Sequence, residues 1–163
     1  MKTAKTTWTM GLVTLLTAAA WLTPGCNAVE EKNRQADTAA DLVLKLLAAE
    51  KTDSLYENYT TEGFRQANSE ETVRKLAKAL NLYLGEPESH RLLKYSLKLA
   101  NGAAAGEYVY KVQWAKADGT LTLKLLWQNG ECRIQTLDVQ SAALQGGRNA
   151  TSRPVNNGKT IHI

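Results

Sequence analysis

The chain predicts an α+β domain in which N-terminal helices pack on a curved, four-stranded antiparallel meander sheet. Three observations carry this. Apolar residues recur every three or four positions up to about residue 84. Beyond residue 90 they recur every second position, in four runs. Two of the breaks between those runs are Asp118-Gly119 and Asn129-Gly130, pairs suited to two-residue hairpin turns.

The elements follow in order. Ala36, Ala39, Ala40, Val43, Leu46 and Leu47 form a helical stripe that predicts a first helix to about Glu50. In "KTDSLYENYTTEGF" Asp53 is a candidate N-cap, and Leu55, Tyr56, Tyr59 and Phe64 mark one or two short helical turns. "NSEETVRKLAKALNLYLGEP" has a capping-box pattern in Asn68 and Glu71, a stripe of Val73, Leu76, Leu80 and Leu84, and a stop at Gly85 and Pro87. Glu70–Arg74 and Glu71–Lys75 are i,i+4 pairs in the favourable order.

The strand runs give one greasy face. Arg91, Leu93, Tyr95, Leu97 and Leu99 alternate with Lys94, Ser96 and Lys98, leaving His90 on the polar side. Tyr108, Tyr110, Val112 and Trp114 share a side; so do Leu121, Leu123, Leu125 and Trp127; so do Cys132, Ile134 and Thr136. With Asp118-Gly119 as a turn, Trp114 opposes Leu123 and Tyr110 opposes Trp127. With Asn129-Gly130 as a turn, Trp127 opposes Cys132 and Leu125 opposes Ile134. Both registers keep the apolar residues together. Leu137 and Val139 then imply a bulge that turns Asp138 outward.

Charge is unevenly placed. The formal net charge is +4, but residues 27–140 hold 15 Lys/Arg against 16 Asp/Glu, so the basic excess sits at the two ends. That argues against nucleic acid as a partner. Cys132 has no His or Cys neighbour that would make a metal set and reads as a small buried hydrophobe. No cofactor motif, metal spacing, phosphate loop or nucleophile–base pair is present, and no catalytic residue is assigned.

Lys2 and Lys5 precede "WTMGLVTLLTAAAWL", fifteen uncharged residues that are short for a permanent membrane span and fit an export signal. Its end, "LTPGC", resembles the lipobox of bacterial lipoproteins, with Leu22 one position further from the Cys than usual. That resemblance implies lipidation of Cys26 and a partner in the membrane itself; Asn27, in place of an Asp, leans towards the outer membrane over the inner. Pro24 and Gly25 are expected to leave an extended, cleavable backbone. The chain then divides into a signal peptide (1–25), a polar tether (26–35), the α+β domain (36–140) and a disordered polar tail (141–163).

The order of elements, with "WQNGECRIQTLDV" as the last hairpin, is similar to the cystatin-like cone fold of ketosteroid-isomerase-like domains and to small bacterial lipoproteins carrying such a domain. The resemblance implies a periplasm-facing, non-catalytic binding or scaffold module whose partner is an envelope protein, a polymer or a small ligand. A pocket in this fold would draw on Tyr56, Tyr59, Tyr83, Tyr108, Trp114 and Trp127. Lys94, Lys98, Lys111, Lys124 and Arg133 would form a basic contact face on the outer side of the sheet. The alternative is a small-molecule-binding or isomerase-like enzyme that uses the same pocket.

Overall fold

A computed structural model describes residues 24–100 and 103–149, with side chains from 27 to 145 within those limits. The fold is α+β, with helices preceding a four-stranded antiparallel meander that is not closed into a barrel. The helices are α1 (Pro24–Ala48), α2 (Thr52–Tyr59), α3 (Glu62–Ala67) and α4 (Glu70–Tyr83). The strands β1 (Pro87–Ala100), β2 (Ala103–Trp114), β3 (Asp118–Gln128) and β4 (Glu131–Gln140) lie in that order across the sheet, and α5 (Ala142–Asn149) follows. Among the described residues no helix is long and apolar enough to cross a membrane; the 8–22 apolar run lies outside them.

The expected core is present. Tyr108, Tyr110, Val112, Trp114, Leu121, Leu123, Leu125, Trp127 and Ile134 are buried on one sheet face, against Ala36, Ala40, Val43, Leu47, Leu55, Phe64, Val73, Ala77 and Leu80 of the helices. Two helix ends differ from expectation. Ser69, not Asn68, caps α4 by accepting from the Thr72 amide at 3.2 Å, while Asn68 donates its side-chain amide to Phe64 O and closes α3. Asp53 lies inside α2, whose N-cap is Lys51 with no side-chain cap bond. Gly85 stops the helical stretch in the left-handed region, φ 79°, and its amide bonds Leu80 O at 3.1 Å.

Larger corrections fall at both ends of the domain. Residues 24–35 are helical, so the segment expected as a tether belongs to α1, and Pro24 and Gly25 are in helix where an extended backbone was expected. At the other end, Ala142–Asn149 forms α5 where a disordered tail was expected.

The sheet corrects two registers. Asn129 and Gly130 both have positive φ (52° and 81°), as a type I′ turn requires, and Trp127 opposes Cys132 and Leu125 opposes Ile134 as expected. The β2–β3 connection turns earlier, at residues 114–117, where the Trp114 amide bonds Ala117 O at 3.0 Å. Trp127 consequently opposes Ala104 and Tyr108 opposes Leu123, a slip of six residues that leaves every side chain on its expected face. In β1 a register shift between Leu92 and Lys94 reverses the first half, so His90 and Leu92, not Arg91 and Leu93, face inward. A second shift opposite Lys124 and Leu125 brings Leu137 and Val139 into the core and sets Asp138 opposite Thr122 on the outer face.

The turn position makes a stability prediction. A Cβ on Gly119 would press on Gln140 O and come within 2.9 Å of Trp114 Cζ3, whereas one on Gly130 meets nothing within 4 Å and suffers only from its φ. Gly119→Ala is expected to lose roughly 2 kcal/mol by overpacking, and Gly130→Ala about 1 kcal/mol through strain in the left-handed region. Urea unfolding checks the order; the reverse ranking would move the turn back to Asp118-Gly119.

Candidate functional site

The helix α1 crosses the inner face of the sheet, and two kinds of site arise along it. The first is a polar seam. Tyr108 and Tyr110 are two apart on β2, so both rings enter the core. Their hydroxyls reach the rim of α1, where Tyr108 donates to Asn33 Oδ1 at 3.1 Å and Tyr110 donates to Asp37 Oδ1 at 2.9 Å. One turn further along α1, Asp41 Oδ1 lies 3.7 Å from Nδ1 of His90, whose side chain is 19% exposed and sits edge-on to Tyr110 at 5.5 Å. Asn33, Asp37 and Asp41 recur every four residues and so share one helix edge.

The second kind is a pair of clefts flanking the first half of α1. One, of about 320 Å³, lies between α1 and β4 and is lined by Arg34, Gln35, Thr38, Ala39, Leu42, Tyr59, Cys132 and Ile134. Its walls are apolar. Its polar rim is already engaged: Arg34 pairs with Glu31, Gln35 Nε2 donates to Glu31 Oε1 at 2.7 Å, and the Thr38 hydroxyl donates to Arg34 O at 3.0 Å. The other cleft, of about 350 Å³, lies on the β1 side between Lys32, Leu99, Ala104 and Trp127. Lys32 Nζ sits 5.3 Å from the Trp127 ring centroid, a cation–π contact, and the buried Trp127 Nε1–H has no acceptor among the described residues.

The six aromatic residues expected around one pocket are not brought together. Tyr108 and Trp114 are core. Tyr56 is half-buried and donates to both Arg65 O (3.0 Å) and Asn68 O (2.8 Å), tying α2 to α3. Tyr83 is exposed at the end of α4. Tyr59 lines the α1–β4 cleft and Trp127 the other. Sequence reasoning missed the α1 contribution to both clefts, because residues 27–35 were expected outside the fold. It missed the seam because the β1 shift hides the inward turn of His90. The four-residue spacing of Asn33, Asp37 and Asp41 beside an apolar stripe was a readable signal for the seam.

Three members of the expected basic face have carboxylate partners, Lys124 through the β2–β3 slip of register. Lys124 faces Glu107, with Nζ at 3.5 Å from its carboxylate, and Lys111 reaches Asp118 at 2.9 Å. Arg133 pairs with Glu131 at 2.7 Å and donates to Asn58 O. Among the described residues Lys94 and Lys98 have no carboxylate within 4 Å. Asp138, buried on the outer face, accepts from Gln140 Nε2 at 2.8 Å. His162 lies outside the described residues, as does the side chain of Cys26, which falls in the first turn of α1. No group of three or more metal-ligating side chains exists among the described residues.

No family model matches the chain, and neither does any curated protein. A solved structure of a function-unknown protein from Mycobacterium tuberculosis is similar to it, at 16% identity over 72% of this chain and 75% of that one, with a TM-score of 0.43.

Burial raises the pKa values of Tyr108, Tyr110 and Cys132 and so makes each a weaker acid. The Cys132 thiol, half-buried, is pushed up from 9.0 to about 11 by desolvation, against a smaller pull from Lys32. Tyr108 is pushed up from 10.0 to about 12 by burial, then by the charges of Tyr95, Cys132 and Asp37. Burial and the Asp37 hydrogen bond raise Tyr110 further in the same direction. Each folded-state value exceeds its unfolded one, so the fold favours the neutral form. The stability from Cys132 is complete below pH 9.0 and is lost towards about 11; that from Tyr108 is complete below 10.0 and is lost towards about 12. Melting temperature is expected to stay level up to pH 9 as far as these groups act, then to fall steeply. Cys132→Ala should remove the lower part of that slope and Tyr108→Phe the upper part.

Proposed function

We propose that this chain is a membrane-anchored bacterial lipoprotein whose folded body is a non-catalytic binding module of the cell envelope. The helices-then-meander order supports grouping the body with the cystatin-like cone domains. The ligand site is the cleft between α1 and β4, and the observation that carries it is an open, apolar-walled space of about 320 Å³. That volume lies within the range of small-molecule sites.

The rim decides the ligand's chemistry. Arg34 and Gln35 both hold Glu31, so a ligand carboxylate would have to displace a carboxylate already in place. Ala39, Leu42, Tyr59 and Ile134 instead offer dispersion and area removed from water, at about 25 cal/mol per Å². The ligand is therefore a neutral, mainly apolar molecule or the apolar segment of a larger one.

An isomerase-like reading would need the seam of His90, Asp41, Tyr110 and Asp37 as its acid–base centre. Neither described cleft is lined by these residues, so a substrate in either would not touch them. The binding reading therefore takes precedence.

Two measurements test the proposal. A neutral naphthylamine dye should brighten on binding, and Ala39→Leu, which fills the cleft from α1, should weaken it roughly tenfold while leaving the melting temperature within a few degrees. Unchanged dye affinity in that variant would remove the cleft as the site. In the bacterium, labelled palmitate should enter the wild-type chain and not Cys26→Ser; equal labelling of both would remove the anchor.

A further inference from the structure

The first strand is the longest in the sheet, with 14 residues, and it stands at an edge. Among the described residues no backbone hydrogen bond from an element other than β2 reaches it between Ser89 and Ala100. An open edge presents a row of unpaired amides and carbonyls and is a template for another strand.

Its two faces are unusual for an edge. On the inner face Tyr95, Leu97 and Leu99 continue the apolar surface opposite Tyr108, Gly106 and Ala104. Tyr95, stacked on Tyr108 at 5.8 Å, is still 47% exposed, and Leu99 is 52% exposed. On the outer face Lys94 and Lys98 stand opposite Val109 and Ala105. Lys111, Lys124 and Arg133 have each found a carboxylate on their own or a neighbouring strand, whereas these two have not.

We propose that the edge of β1 over residues 94–100 receives an extended segment of another protein, in which apolar and acidic side chains alternate. The main chain of that segment would continue the sheet. Its apolar residues would cover Tyr95, Leu97 and Leu99, and its carboxylates would meet Lys94 and Lys98 on the other face.

Charge selects this occupant over the others available. Residues 1–23 and 150–163 of the chain contain no Asp or Glu, so neither can neutralise the lysines. A second copy pairing β1 with β1 about residues 94–98 sets lysine against lysine. Pairing β1 with the opposite edge of a second copy meets an obstacle, because Thr60 bridges Ile134 there and the Thr61 amide bonds Ile134 O at 2.9 Å.

The test uses the full chain in neutral detergent and a fluorescent eight-residue peptide of alternating Glu and Val, N-methylated along one edge to keep it monomeric. Fluorescence anisotropy should show binding, and addition of peptide should slow amide exchange within residues 94–100. A Lys-Val peptide and a Glu-Val peptide methylated on both edges should each bind at least roughly tenfold more weakly. The double variant Lys94→Glu, Lys98→Glu, checked by circular dichroism for an unchanged fold, should prefer Lys-Val over Glu-Val. Ala39→Leu should leave peptide binding unaltered, which separates this edge from the cleft. Three results would each overturn the proposal: equal binding of Glu-Val and Lys-Val, indifference to blocking both peptide edges, or capture of phosphatidylglycerol vesicles through Lys94 and Lys98 without peptide binding.

Discussion

Two buried phenols set the position of α1, and much of the domain depends on that placement. Tyr108 and Tyr110 contribute large apolar rings to the core, but each ends in a hydroxyl that would be costly to bury unpaired. The inner sheet face around them is largely Leu, Val, Trp and Ile, and both hydroxyls find their acceptors on α1 instead. Asn33 and Asp37 supply both, one helical turn apart, at a spacing close to that of β2 residues two apart. The helix is thereby held along β2 while its apolar stripe, Ala36, Ala40, Val43 and Leu47, faces the sheet. A helix anchored along one line and narrow in its small residues leaves space on both sides. The two clefts occupy that space.

Much of this was readable from the sequence, because alternation with period two assigns faces without knowledge of partners. Leu121, Leu123, Leu125 and Trp127 are inward for that reason alone. Partners are harder. Displacing β3 by six residues along β2 changes every pair and no face, so agreement of the apolar residues is blind to any even slip. Asn129-Gly130 fixed its hairpin because both residues use the left-handed region. Asp118-Gly119 looked equivalent, but Gly119 serves instead to admit Gln140 and Trp114 at close range within the strand. The bulges were less legible. Leu92-Leu93 offers two equal candidates for the inward position, and only tertiary packing chooses between them. The seam at His90 was lost with that choice, and the clefts were lost with the assignment of residues 27–35 to a tether.

The register also governs the electrostatics of the outer face. In the register expected from sequence, Lys124 would face Gln113 and a lysine-rich surface would result. The six-residue displacement brings Glu107 opposite Lys124 and leaves Asp118 within reach of Lys111. Such exposed pairs contribute little stability, yet they decide where uncompensated charge remains. On the described sheet it remains at Lys94 and Lys98 of β1, whose inward Tyr95 and Leu99 are themselves about half exposed. A lysine-bearing edge resists pairing with its own copy, since lysine would meet lysine. The same lysines place no such penalty on a strand that carries acids, so one feature both discourages self-association and selects a partner.

The helix that the phenols hold also relates the proposed anchor to the proposed binding surfaces. Cys26 lies in the first turn of α1, and Lys32 and Asn33, about two turns on, already touch Trp127 and Tyr108. At about 1.5 Å per residue, the six residues from Cys26 to Lys32 span roughly 9 Å. A lipid on Cys26 would therefore hold the Trp127 end of the sheet, with Leu99 and the β1-side cleft, close to the membrane surface. The α1–β4 cleft begins at Arg34 and runs away from that end through Leu42. A ligand with an apolar segment leaving the bilayer would meet the cleft's near end first. On that proposal the route from membrane to site would follow one continuous helix, oriented by the same Asn33 and Asp37 contacts that place it beside the cleft.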